Sequence, residues 1–306
     1  MKDKCNRKIK HIRLSVTDKC GYNCIYCDNE GFISKSNLLT VNEITKLSHL
    51  LAEILDVTRI KLTGGEPLCR KEIVQIIQNI NDLELYDDIS MTTNGYSLFD
   101  YAEDLYNAGL DRINVSLSSL NPQTYKKITG SDSLSQVLKG LRKAKEVGLY
   151  PIKINYVVLK GLNDNELEDF IEFSGKTGFV LQLIELHTRS DAVGQEKEFY
   201  EKYHVDLEDW IHELEKRAVD VKIRGMMQNR KVIALPNGAV VEAIHPSHNF
   251  CLGCTKLRVG CDGNLFGCLY KADSGKNVKK DLNHDHSMAH FEKIVRQVVD
   301  SREPYY

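Results

Sequence analysis

The 306-residue chain is long enough for one large α/β domain or two smaller ones around a substantial core. Lys and Arg (41) nearly balance Asp and Glu (43), which excludes the bulk positive field of a protein that binds a nucleic-acid polymer or a membrane surface. No apolar run approaches the roughly 20 residues that span a bilayer, and the charged N-terminus lacks a signal-peptide core, so a cytoplasmic chain is expected.

From Ile12 to Glu185 short β-like runs alternate with helical stretches. The predicted strands are Ile12–Val16, Ile60–Thr63, Ile89–Thr92, Ile113–Ser116, Lys153–Val158 and Leu181–Glu185. The predicted helices are Val41–Ile54, Lys71–Ile80, Tyr101–Ala108, Leu134–Val147 and Glu166–Thr177. Thr40-Val-Asn-Glu43 predicts a capping box at the first helix, and Gly109 and Gly148 predict C-terminal caps. Right-handed crossovers curl such a series toward a barrel, but six units are too few to close one. The expected fold is therefore α/β, a partial (βα)6 TIM-type barrel over residues 1–186.

Beyond residue 186 the pattern changes. A polar stretch, His187–Lys202, leads to a predicted helix at Leu207–Lys216. Strand-like runs follow at Val219–Ile223, Lys231–Ala234 and Val240–Ala243, with a last amphipathic helix at Met288–Val299. With no long linker in sight, residues 187–306 are expected to form an α+β extension packed on the barrel.

Chemistry in barrels of this kind gathers at the C-terminal ends of strands. There the sequence places Cys20, Gly64-Gly65-Glu66-Pro67, Thr92-Thr-Asn-Gly95, Ser116 and Glu185. Nine cysteines in a chain of this type argue for metal rather than disulfides. Cys20-x3-Cys24-x2-Cys27 offers three thiolates, one short of a closed four-thiolate site, and so points to an iron–sulfur cluster with one open iron. Cys251-x2-Cys254-x13-Cys268 repeats the deficit; zinc completed by His248 or Cys261 is the alternative there. Lys61 and Lys153 sit inside apolar strands, where an unpaired charge is costly, which marks them as functional cations. Arg59 shares the face of Lys61 by the two-residue period.

The cysteine loop, followed one βα unit later by Gly64-Gly65-Glu66-Pro67, resembles the radical S-adenosylmethionine (SAM) superfamily. The run from Phe250 to Leu269 is similar to the C-terminal motif of the GTP 3′,8-cyclase family of molybdenum cofactor biosynthesis. Arg13-Leu-Ser-Val-Thr-Asp-Lys-Cys20, Leu62–Leu68, Thr92–Gly95, Asp111–Leu117 and Lys160–Asp164 stand in that family's order over nearly the whole chain. The resemblance implies two [4Fe–4S] clusters, held by Cys20, Cys24 and Cys27 and by Cys251, Cys254 and Cys268. It implies SAM bound by Tyr26, Gly64, Gly65, Glu66, Ser116 and His187. It also implies GTP held by Arg13, Arg59, Lys61, Thr92, Lys153, Lys256 and Arg258, the last two also catalytic. The implied reaction uses a 5′-deoxyadenosyl radical to remove the ribose 3′ hydrogen, after which C3′ joins C8 of the purine. A monomer or homodimer supplied by an electron donor such as ferredoxin or flavodoxin is further implied. Lys61, Lys256 and Gln182 stand where the family often has arginine, and the tail Arg302-Glu-Pro-Tyr-Tyr306 lacks a Gly-Gly end. The competing readings are a related radical SAM enzyme acting on another nucleotide or a peptide, and a zinc-stabilised scaffold or nucleotide-binding module.

Overall fold

The computed structural model describes residues 1–27, 37–188, 192–284 and 287–305. Six parallel strands, β1 (His11–Ser15), β2 (Arg59–Thr63), β3 (Asp88–Thr93), β4 (Arg112–Ser116), β5 (Ile152–Val158) and β6 (Val180–Glu185), pair in sequence order. Their crossovers carry α1 (Val41–Leu55), α2 (Ile73–Asn81), α3 (Leu98–Asn107), α4 (Pro122–Thr129), α5 (Leu134–Val147) and α6 (Leu167–Thr177). Each expected strand and helix of this half is present, with boundaries moved by three residues at most. The predicted capping box closes α1: Glu43 N–H donates to Thr40 Oγ1 (3.2 Å) and Thr40 N–H to Glu43 Oε2 (2.7 Å).

Helix α4 was not expected. Its signal is short but complete: Asn121 accepts from the amides of Gln123 and Thr124, Pro122 opens the helix, and Gly130 closes it at φ +74°.

The rest of the chain comprises α7 (Gln195–Tyr203), α8 (Glu208–Arg217), β7 (Asp220–Arg224), β8 (Arg230–Ala234), β9 (Val240–Ile244), α9 (His248–Leu252), β10 (Lys256–Val259), β11 (Asn264–Phe266), β12 (Lys276–Asn277), α10 (Lys279–Leu282) and α11 (Met288–Asp300). Of the polar stretch 187–202, residues 189–191 lie outside the described residues, and the remainder contains α7 rather than loop alone. These strands do more than pack against the barrel. β10 pairs in parallel with β1, and β9 in parallel with β6, so eight parallel strands lie side by side. Antiparallel β11–β12 and β8–β7 extend the two edges, giving the order β12-β11-β10-β1-β2-β3-β4-β5-β6-β9-β8-β7. The curl expected from six units is thus lengthened at both edges by strands from the second half.

The two-residue period of the strands sorts the side chains. Ile12 and Leu14, Ile60 and Leu62, Ile89 and Met91, Ile113 and Val115, and Leu181 and Leu183 are buried with Leu47, Leu51, Ile76, Ile80, Leu105, Leu141 and Phe170 of the helices. The intervening residues, His11, Arg13, Arg59, Lys61, Ser90, Thr92, Arg112, Asn114 and Gln182, line the lumen. No helix of the described residues is long and apolar enough to cross a membrane.

Candidate active site

Register separates the two cysteine groups. Cys20, Cys24 and Cys27 follow the C-terminal end of β1. In the parallel pair β1–β10, His11 is opposite Lys256 and Leu14 opposite Val259, so Cys254 precedes the start of β10, at the other mouth of the barrel. Antiparallel β11 runs back, with Phe266 opposite Arg258, and returns Cys268 to that same mouth. Cys261, beyond the far end of β10, is 2% exposed, and burial with Asp18 and Asp262 nearby pushes its thiol up to about 11. It is a core thiol near the start of the first cysteine loop, which removes it as a fourth ligand for the second group.

The first cysteine loop is fixed from two sides. Gly65 N–H donates to Thr17 O (2.9 Å) and Glu66 N–H to Lys19 O (2.7 Å). A Cβ on Gly65 would stand 2.5 Å from Lys19 O, and one on Gly64, at φ +144°, 2.2 Å from Thr17 O. The sequence suggested that these glycines admit a ligand; the close approach they permit here is that of the loop's own backbone. Arg70, buried, donates to Val16 O (2.7 Å) and Leu39 O (2.8 Å) beneath it. On the other side, Asn23 N–H and Ile25 N–H donate to Thr129 O and Ile128 O at the end of α4. Tyr26 Oη is 3.1 Å from Ser118 Oγ, two residues past the predicted Ser116 at the end of β4. Glu66 is buried, and its carboxylate accepts from Leu68 N–H (3.0 Å), Thr93 Oγ1 (2.7 Å) and Asn94 N–H (2.5 Å). Most of its hydrogen-bonding capacity therefore goes to the protein, two of the three bonds coming from the end of β3. Glu185, grouped with the strand-end chemistry by the sequence, is instead held between His204 Nε2 (2.9 Å) and His245 Nδ1 (2.5 Å) and ties β6 to the second half of the chain.

The second cysteine group is held by a buried triad of charges. Asp3 Oδ2 lies 2.7 Å from Arg7 Nε and 2.9 Å from Arg302 Nη1. Arg7 Nη1 donates to Cys251 O (2.9 Å), and Arg302 Nη2 to Cys254 O (2.8 Å). Both described ends of the chain thus grip the same cysteine loop, a role the sequence did not reveal because it joins residues some 250 to 300 positions apart.

The donor set bears on the metal. Each group offers three thiolates, one short of a closed four-thiolate zinc site and suited to a four-iron cluster with one open iron. Burial, with Cys27 and Cys20 adjacent, pushes Cys24 up to about 12. Burial also pushes Cys254 up, but Arg302, Lys256 and Arg258 outweigh it and hold that thiol below its usual range. At Cys254 the fixed positive charge therefore favours thiolate, whereas burial pushes Cys268 up despite Arg258.

Between the two mouths lies a cavity of about 260 Å³, lined by ten Arg or Lys side chains and only two carboxylates, Asp88 and Glu303. Arg13, Arg59, Lys61, Thr92, Lys153, Lys256, Arg258, His187, Cys251, Cys254 and Cys268 all line it; Tyr26, Gly64, Gly65, Glu66, Ser116 and the first cysteine loop do not. His187 was grouped with the latter by resemblance. It lies edge-on to Tyr270 (5.7 Å), which stacks on Tyr305 (4.5 Å), so the tail reaches this cavity without a glycine end.

A hydrogen-bonded chain crosses the lumen. Lys61 Nζ donates to Asn114 Oδ1 (2.6 Å), Asn114 Nδ2 to Gln182 Oε1 (2.6 Å), and Gln182 Nε2 to Glu242 Oε2 (2.7 Å). Glu242, on β9, also pairs with Lys153 and with Arg224 Nη1 (2.6 Å). Burial pushes the Glu242 carboxyl up, but the Lys153 charge, hydrogen bonds from Lys153 and Gln182, and Arg230 outweigh it and hold it at about 2. Burial lowers Lys153 to about 8 despite Glu242, and lowers Lys61 well below the usual lysine range, with Arg112, Arg13 and Lys153 adding to the effect. His11 is lowered to about 4 by burial, Lys256 and Arg59, so it adds no charge near neutrality. Such a lumen suits a ligand carrying several negative charges.

Residues 14–174 match the Radical SAM superfamily, and residues 179–306 match Molybdenum Cofactor Synthesis C. Curated relatives described as probable GTP 3′,8-cyclase include those of Thermococcus kodakarensis (41% identical, 99% of both chains) and Pyrococcus abyssi (39%, 99% of both chains). That of Methanothermobacter thermautotrophicus is 39% identical, over 100% of this chain and 99% of its own. Among solved structures, Streptococcus suis SuiB bound to S-adenosylmethionine superposes with a TM-score of 0.63 at 16% identity, over 98% of this chain and 65% of that one. Native anSMEcpe with bound AdoMet and Cp18Cys peptide gives 0.59 at 14% identity, over 92% and 82%. At such identities these two structures establish the fold alone.

Proposed function

Because the chain belongs to the radical SAM superfamily, and by full-length similarity to its GTP 3′,8-cyclase family, we propose that it converts GTP to 3′,8-cyclo-7,8-dihydro-GTP, the first step of molybdenum or tungsten cofactor biosynthesis. The observation that carries this reading is the placement of two open cysteine triplets at opposite mouths of one cation-lined barrel. When bound, the two [4Fe–4S] clusters and SAM supply a 5′-deoxyadenosyl radical at one mouth and an open iron for substrate at the other.

The residues of the chain bind, orient and enclose. Cys20, Cys24 and Cys27 hold the first cluster, and Cys251, Cys254 and Cys268 the second. Tyr26, Gly64, Gly65, Glu66 and Ser116 surround SAM at the strand ends. Glu66 has room for one further donor beside its three protein partners, which suits an ammonium group. Arg13, Arg59, Lys61 and Lys153 take the triphosphate, with Thr92 as a neutral hydrogen-bonding group. Lys256 and Arg258 stand between the lumen and the second triplet, where they neutralise charge on the nucleotide held there. His187 belongs with Tyr270 and Tyr305 at the rim of the substrate cavity rather than with SAM. Two electrons from an outside donor such as ferredoxin or flavodoxin, and one proton, balance the conversion in the cytoplasm.

The test is anaerobic incubation of the two-cluster protein with SAM, a reductant and each nucleotide in turn. Equimolar 5′-deoxyadenosine and cyclised product from GTP are expected. Deoxyadenosine formed without consumption of GTP would overturn the assignment.

A further inference from the structure

Two buried arginine nitrogens among the described residues have no hydrogen-bond partner, Arg7 Nη2 and Arg230 Nε, and both residues line the barrel cavity. They differ in how their charge is met. Arg7 sits on Asp3, whose carboxylate it shares with one other described cation, Arg302. Arg230, 8% exposed, has no carboxylate of its own: Nη2 donates to the neutral Gln228 Oε1 (3.2 Å), and Nη1 lies 3.9 Å from Glu242 Oε2. Glu242 is already bonded to Lys153, Arg224 and Gln182. One carboxylate therefore faces three cations, and Lys256 and Arg13 add positive charge around Arg230.

A guanidinium does not lose its proton to escape this. Cys254 is the other negative group near it, but Nε has no acceptor among the described residues, so the unmet N–H suits an anion from outside the chain. Gln182 on β6 has little to offer such an anion: its carbonyl oxygen accepts from Asn114 and one of its two amide N–H groups donates to Glu242, which leaves one neutral donor and no charge. We infer that Arg230, brought over the lumen by β8 and oriented by Glu242, is a further cation of the subsite that binds the phosphates of the nucleoside triphosphate. This rests on the reading of the substrate as GTP. Glu242 is a positioning residue, acting on substrate only through Lys153, Gln182 and Arg230.

Equilibrium dialysis of the two-cluster protein against GTP, GDP and GMP tests the inference, with iron content and thermal melting as checks of integrity. Arg230→Gln is expected to weaken GTP binding roughly 10- to 100-fold, as loss of a charge-assisted hydrogen bond implies, to weaken GDP less and GMP least, and to raise KM for GTP more than it lowers kcat. Arg230→Lys, which keeps charge without the planar fork, is expected to fall between, and carries the test if the glutamine variant does not retain its iron. Equal losses for GTP and GMP, or unchanged GTP affinity in both variants, would overturn the inference. A wild-type protein that does not prefer GTP to GMP would overturn the triphosphate reading beneath it, a failure visible before any variant is compared.

Discussion

Glu242 sets how much positive charge the lumen keeps. The carboxyl is held at about 2, against an ordinary 4.5, so its contribution to stability is complete above pH 4.5 and is lost as pH falls toward 2. Lys153 is lowered from 10.5 to about 8; between those values the unfolded chain binds the extra proton, so this group makes stability rise with pH in that window. Both side chains are almost wholly buried. Glu242→Gln, which strands Lys153 without its partner, is expected to cost about 3–5 kcal/mol. It should also flatten the acid limb of stability between pH 2 and 4.5, read by chemical denaturation at a series of pH values. An unchanged acid limb would show that the pair contributes no net linkage. Lys61 and Lys153 were legible in the sequence because a charge alternating with apolar residues in a strand needs a reason, and Arg13 only through the family resemblance. Glu242 and Arg230 were not, because their meaning depends on β9 pairing with β6, an alignment that no local pattern records. Arg112 was likewise passed over; its guanidinium forms a two-bond pair with Asp88 (2.8 Å each) on the lumen face.

At the scale of elements, the loop that begins the chemistry depends on a helix that the hydrophobic pattern did not disclose. Eight residues of α4 carry too few apolar positions for a convincing period, although Asn121-Pro122 and Gly130 mark its ends. Carbonyls of its last turn accept from Asn23 and Ile25, between and beside the cysteines. Asn121→Ala removes the acceptor for two amides at its start and is expected to cost about 1 kcal/mol. Because α4 supports the cysteine loop, the same variant should lose iron from the first site faster in air than wild type while the melting of the rest of the chain moves by only a few degrees. Iron release that tracks global unfolding instead would separate α4 from the loop. The strands β10 and β11 escaped the sequence reading for a related reason. At four and three residues, and set among cysteines and glycines, they hold their place by pairing with β1 and with each other.

Across the whole molecule, the barrel is lengthened by chain that arrives last, and its second mouth is fastened by both described ends at once. Asp3 is the hinge of that fastening, since its carboxylate meets Arg7 and Arg302, whose remaining nitrogens hold the carbonyls of Cys251 and Cys254. Asp3 also caps its own turn, accepting from the amides of Cys5 (3.0 Å) and Arg7 (2.9 Å). Asp3→Asn keeps the size of the side chain but leaves two buried guanidiniums without a counter-charge, an imbalance of about 3–5 kcal/mol concentrated at one mouth. The first cysteine loop stands at the other mouth, on Gly65, Glu66 and α4, and shares no hydrogen bond with Asp3. The variant is therefore expected to lose the second cluster and keep the first. Iron should fall from about eight to about four per chain if each triplet holds a four-iron cluster. SAM cleavage without substrate should persist, and conversion of GTP should be lost. Equal loss of iron from both sites would mean that the two mouths unfold together and that the termini stabilise the whole barrel rather than one end of it.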